Sequence, residues 1–152
     1  MRRIRGGELM AGAGAIVLLV STFLTWYTPT GRAEGLDAWQ AFSIVDLLLG
    51  VVGVLGLALA IAQVVGRGPA LPVAIAVATA VLGVVGIVLV AYRIVNQPGP
   101  NDALSVSGGA YLGLVSVAAV ALGAWEALSD ERPRPADPPA PAPERRATPS
   151  RS

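Results

Sequence analysis

The chain has 152 residues, of which 54% are apolar and 14% charged, with a mean hydropathy of +0.65. A soluble domain carries nearer a quarter charged residues. There is no Cys and no His, which excludes disulfides, thiolate nucleophiles and imidazole ligands or bases. The net charge of +1 does not provide a nucleic-acid surface, and the length allows one domain.

Four apolar stretches define the chain. Residues 9–27 carry no formal charge, 41–65 carry only Asp46, 69–92 carry none, and 109–128 carry only Glu126. A bilayer core of about 30 Å needs about 20 helical residues at 1.5 Å each. Each stretch reaches or approaches that length. Apolar residues surround 51–61 and 73–91 on every side, whereas a core helix of a soluble protein keeps a polar stripe. Backbone groups in lipid must be satisfied internally, so the stretches predict helices. The basic start, Met1 to Arg5, has the charge of a signal peptide. Its apolar run is too long for one and ends in Trp26-Tyr27 without a small-residue cleavage site, so it predicts a retained helix.

All eleven basic residues are Arg. Arg2, Arg3, Arg5, Arg67, Arg132, Arg134, Arg145, Arg146 and Arg151 fall on one side of the expected bundle, and Arg32 and Arg93 on the other. The positive-inside rule then places both termini in the cytoplasm of a multi-pass protein of the inner (plasma) membrane. Trp26, Tyr27, Trp39, Phe42, Tyr92 and Tyr111 gather at the outer boundary and Trp125 marks the inner one, as interfacial aromatics do. The connections are short, so consecutive helices should be antiparallel neighbours, with Gly66 to Pro69 forming a tight turn. The expected fold is all-α: a four-transmembrane-helix antiparallel bundle over 1–128. A disordered, Pro-rich cytoplasmic tail over 129–152 holds seven of the twelve prolines.

Small residues recur at helical spacing: Gly50, Gly53 and Gly56 in the second stretch, Ala76, Ala80 and Thr79, Gly83 in the third, and Gly109 with Gly113 at the start of the fourth. In lipid such residues let helix backbones approach closely, either within one chain or between two copies. Gly12-Ala13-Gly14 lies inside an apolar run with no strand before it and is no nucleotide loop.

Charges inside the membrane are costly and mark function. Asp46 lies about 10 Å outward of mid-membrane, and Arg93 about 8 Å higher on the third helix. An Asp46–Arg93 ion pair would tie the second helix to the third, each charge offsetting part of the other's desolvation. Ser21, Thr22, Ser43 and Tyr92 are hydroxyl neighbours at that depth. Glu8 sits where a carboxylate meets the positive end of a helix dipole, and Gln63 is an interhelical hydrogen-bond partner. Glu34 and Asp37 occupy a Gly-rich loop and read as solvated. No carboxylates cluster at mid-membrane, no catalytic constellation is present, and no cofactor or metal is implied.

The order Gly7-Glu8, Phe23-Leu24-Thr25-Trp26-Tyr27, Trp39-Gln40-Ala41-Phe42, Asp46, Tyr92-Arg93 and Gly109-Ala110-Tyr111-Leu112-Gly113 resembles small four-helix integral membrane proteins of high-GC actinobacteria. The resemblance covers about residues 6 to 130. It implies a fold and a membrane location and no catalytic or binding residue. The functional expectation is a non-enzymatic accessory or scaffold subunit whose partners are the bilayer and another membrane protein or itself. The alternative is a small transporter or channel-like protein using Asp46 and Arg93 near the outer face.

Overall fold

The computed structural model describes residues 6–31, 34–41, 44–65, 70–97 and 103–130. Helix α1 spans Gly6–Ser21, strand β1 Thr25–Pro29, β2 Leu36–Asp37, α2 Ala38–Ala41, α3 Val45–Val65, α4 Ala70–Val95, β3 Leu104–Val106 and α5 Gly108–Asp130. The expected tail beyond residue 130, the expected turn at 66–69, and Arg32, Phe42 and Ser43 lie outside the described residues.

Helices α3, α4 and α5 contain apolar windows of 18 residues or more, Val45–Ala62, Leu71–Val95 and Gly108–Ser129, long enough to cross a membrane. Their outward faces carry Leu47, Val54, Val88, Val115 and Leu122, all more than half exposed. A surface this apolar is at home in hydrocarbon rather than water. The chain is a membrane protein on that ground. Helix α1 has 16 residues and a length of about 24 Å, short of the hydrocarbon thickness.

The four long helices pack in a closed cycle: α1 against α3, α3 against α4, α4 against α5, and α5 back against α1. Large side chains fill one part of the interior, where Leu18, Leu49, Val52, Val90, Val117 and Val120 meet Trp26 and Tyr27. Elsewhere the interior is narrower, with Ala11, Ala76, Ala80, Ala124 and Ala127 around Leu59.

The all-α expectation needs correcting at one end of the bundle. The first helix, expected over 9–27, stops at Ser21, and Thr25–Pro29 is a strand. The Ser21 and Thr22 hydroxyls donate to the carbonyls of Leu18 and Leu19, each at 2.7 Å, and Phe23 and Leu24 donate back three residues. The Phe23 and Leu24 bonds are the tightened i→i−3 kind that ends a helix. The next residues, Thr-Trp-Tyr-Thr, favour extended backbone. Strand β1 is the middle of a three-stranded antiparallel sheet of order β2-β1-β3. Tyr27 lies opposite Leu36 on one side and Val106 on the other. The second helix, expected over 41–65, is α3 from Val45 to Val65, and the short α2 lies ahead of it at Ala38–Ala41.

Candidate functional site

The polar residues of interest gather where the sheet meets the bundle. Trp26 and Tyr27, expected as interfacial aromatics, are fully buried within the protein. Strand β1 directs both rings into the bundle end instead of along a helix surface. The Trp26 indole N–H donates to the Ser21 carbonyl at 2.7 Å. Its ring rests on α5: a Cβ at Gly113 would lie 2.6 Å from Trp26, and one at Gly109 would lie 2.5 Å from the Thr25 carbonyl oxygen. The Gly109–Gly113 spacing therefore makes a seat for a tryptophan of the same chain.

The Tyr27 hydroxyl donates to the Arg93 carbonyl at 3.0 Å. Arg93 is in the last turn of α4, where carbonyls have no partner within the helix, so Tyr27 caps that helix from the sheet. Burial pushes the Tyr27 phenol up to about 12. The Arg93 charge acts against that shift and the Asp46 charge adds to it.

Asp46 stands in the first turn of α3 with 1% of its surface exposed. Neither carboxylate oxygen has a hydrogen-bond partner. The expected direct Asp46–Arg93 bridge is thus not formed. Asp46 is enclosed at the start of one helix, while the Arg93 carbonyl, at the end of another, is held by Tyr27.

The four remaining interfacial aromatics are about half exposed: Trp39 at 46%, Tyr92 at 55%, Tyr111 at 53% and Trp125 at 59%. Trp39 stacks obliquely on Phe23, with centroids 6.1 Å apart. Asp37 and Gln40 cap the start of α2. The Gln40 amide N–H donates to the Asp37 carboxylate at 2.8 Å, and the Asp37 N–H donates to the Gln40 side-chain oxygen at 3.4 Å. This reciprocal cap was legible as Asp-x-x-Gln, though the sequence reading left Asp37 as a solvated loop residue.

Five of the six singled-out glycines face a neighbour within the chain. A Cβ at Gly53 would press on Leu19, at Gly56 on Ala15 and Val120, and at Gly83 on Ala121, all at 2.8–3.1 Å. Gly109 and Gly113 carry Trp26, as described above. Gly50 alone of the six has room, its nearest neighbour being Trp39 at 3.9 Å. The tightest approach of one helix to another involves glycines not singled out from sequence. A Cβ at Gly123 would lie 2.5 Å from both the Ala11 nitrogen and the Gly7 carbonyl oxygen, so α1 and α5 touch backbone to backbone.

Among the described residues, three apolar grooves open on the bundle flanks. One of about 460 Å³ lies between α1 and α3 beneath Phe23 and Trp39. A second, of about 300 Å³, is lined by Ala80, Val81, Val84, Val85 and Trp125. The third, also about 300 Å³, runs beside Glu8, Gly12 and Ala60. Neither Asp46 nor Arg93 lines any of the three. Among the described residues no group of three or more carboxylates could hold a metal ion. No protein-family model matches the chain, and no curated protein or solved structure matches it significantly.

Proposed function

We propose that the protein is a non-catalytic accessory or scaffold subunit of the plasma membrane. In this reading it spans the bilayer four times, with both termini cytoplasmic, and packs against another membrane protein or a second copy of itself. The observation that carries the reading is how the bundle interior treats its polar groups. Buried Ser21, Thr22, Thr79 and Ser116 each donate to a helix carbonyl three or four residues back at 2.7 Å. Their donors are spent within the helices, and neither Asp46 nor Arg93 lines any of the three grooves. The glycine contacts bring the helices together, and the open grooves face outward. The flank around Trp125, Val81 and Val85 is the docking face, an apolar depression that a partner's side chain would fill.

The test is extraction in polymer nanodiscs without detergent, followed by mass analysis of the whole particle. A stoichiometric second protein or a defined homo-oligomer supports the reading, and its loss in a Val85→Trp variant places the partner on that flank. A particle holding one chain alone refutes it. The absence of Cys allows single-Cys labelling to test the topology, since Ser129→Cys should react only from the cytoplasmic side.

A second reading, a small transporter or channel-like protein using Asp46 and Arg93, is favoured by one observation, the Asp46 carboxylate that no hydrogen bond satisfies. Flux into proteoliposomes that disappears in Asp46→Asn would establish it.

A further inference from the structure

We propose that Asp46 is a proton-binding site, its carboxyl held as the neutral acid in the folded protein. The proton is independent of either reading of function, since an accessory subunit and a transporter would each carry it. Asp46 is 1% exposed, and neither of its oxygens accepts a hydrogen bond. An ionised carboxylate offers about four acceptor sites, and enclosure is tolerated when partners fill them. A charge enclosed without partners is far costlier than a neutral polar group in the same place. A bound proton removes that charge.

The surroundings supply no substitute for the proton. Asp46 stands in the first turn of α3, where backbone N–H groups commonly receive a carboxylate, yet its oxygens take none of them. The field of the helix end remains, and it is small beside the cost of an enclosed ion. Strand β1 brings the Tyr27 phenol within electrostatic reach, but that hydroxyl donates its hydrogen to the Arg93 carbonyl. Strand β2 brings Asp37, whose carboxylate caps α2 and repels a second negative charge. Helix α4 brings Arg93, which meets the sheet through its carbonyl and makes no ion pair with Asp46. Glu8 on α1 and Glu126 on α5 belong to the ends of those helices away from the sheet. Among the described residues the other titratable groups at the sheet end, Glu34, Tyr92 and Tyr111, are exposed.

A metal cation does not fit in the proton's place. Calcium and magnesium take about six or more oxygens. Among the described residues no group of three or more carboxylates could hold such an ion. A proton needs one oxygen, and Asp46 has two that nothing else uses.

The test is infrared difference spectroscopy of the full-length protein in lipid nanodiscs at neutral pH. The wild type should show the carbonyl band of a protonated carboxyl, shifting in heavy water. The band should be lost in Asp46→Asn and kept in Asp37→Asn. No such band, or a band kept in Asp46→Asn, overturns the proposal. Carbon-13 labelling of the aspartate carboxyls decides the matter even if Asp46→Asn fails to fold. A band that moves with the label in the Asp37→Asn chain supports Asp46. A band that does not move belongs to a glutamate such as Glu8 and overturns the proposal. The spectrum reads the proton and not its passage, so failure of the flux assay leaves either outcome standing.

Discussion

The same substitution, Gly→Ala, should move stability in opposite directions at Gly123 and Gly50. Both lie inside long helices, where Ala is favoured over Gly by about 1 kcal/mol. At Gly50 the new methyl meets nothing nearer than 3.9 Å, so the helical gain stands, and Gly50→Ala should be more stable by up to about 1 kcal/mol. At Gly123 the methyl would lie 2.5 Å from the Ala11 nitrogen and from the Gly7 carbonyl oxygen, where ordinary contact begins at 3.4 Å. Those are backbone atoms and cannot rotate aside. Helix α1 would have to withdraw by most of 1 Å along its contact with α5. Gly7 gives little relief, because a Cβ there would sit 2.8 Å from the Gly123 carbonyl oxygen. Overpacking of this kind costs about 1–3 kcal/mol, which exceeds the helical gain. The helical gain is common to both variants, so they should differ by the overpacking cost, about 1–3 kcal/mol. Reversible unfolding in mixed detergent–SDS micelles measures the difference directly. If Gly123→Ala is as stable as Gly50→Ala, the backbone contact between α1 and α5 is not what holds α1 in place.

Four further outcomes are expected. Trp26→Phe removes the donor to the Ser21 carbonyl and leaves space over Gly113, and should cost about 1–3 kcal/mol, read as a lowered midpoint of thermal unfolding. Tyr27→Phe leaves the Arg93 carbonyl without its Tyr27 hydroxyl and should cost about 1–2 kcal/mol at neutral pH by the same readout. The Tyr27 phenol also predicts an alkaline limit. Its folded value of about 12 lies above the ordinary 10, so the neutral form stabilises the fold. That contribution is whole below pH 10 and is lost as pH rises toward 12, by about 2–3 kcal/mol. Unfolding midpoints measured across that window should fall for the wild type and fall less for Tyr27→Phe. Asp46→Asn should leave stability unchanged or raise it, because no hydrogen bond or ion pair of the carboxylate is lost and an amide is easier to enclose. A clear loss of stability would show that Asp46 has a partner after all.

Chain order and interior periodicity were legible along the sequence, but only some of the local geometry was. The three long spans follow from uninterrupted apolar runs, a signal that depends on bilayer thickness and on no tertiary contact. The extended segment at Thr25–Pro29 was written in its β-branched and aromatic residues. It was masked because Trp and Tyr at the end of an apolar run also suit a membrane interface. The Asp37–Gln40 cap was present as a spacing and went unread because the loop around it is rich in glycine.

The sequence by itself determined that this is a membrane protein of apolar helices, because burial in hydrocarbon is a property of composition and run length. Only the tertiary structure decided what each small or aromatic residue does there. Gly113 seats Trp26, Gly123 admits the backbone of α1, and Gly50 floors an open groove, though all three look alike along the chain. Tyr27 caps a helix that begins more than forty residues after it in sequence, and Asp46 lies enclosed while Arg93 meets the sheet through its carbonyl. The physical reason is that helical spacing fixes which side chains share a face. Which face meets a neighbour at contact distance, and which meets lipid, depends on how four helices and a small sheet pack around one another.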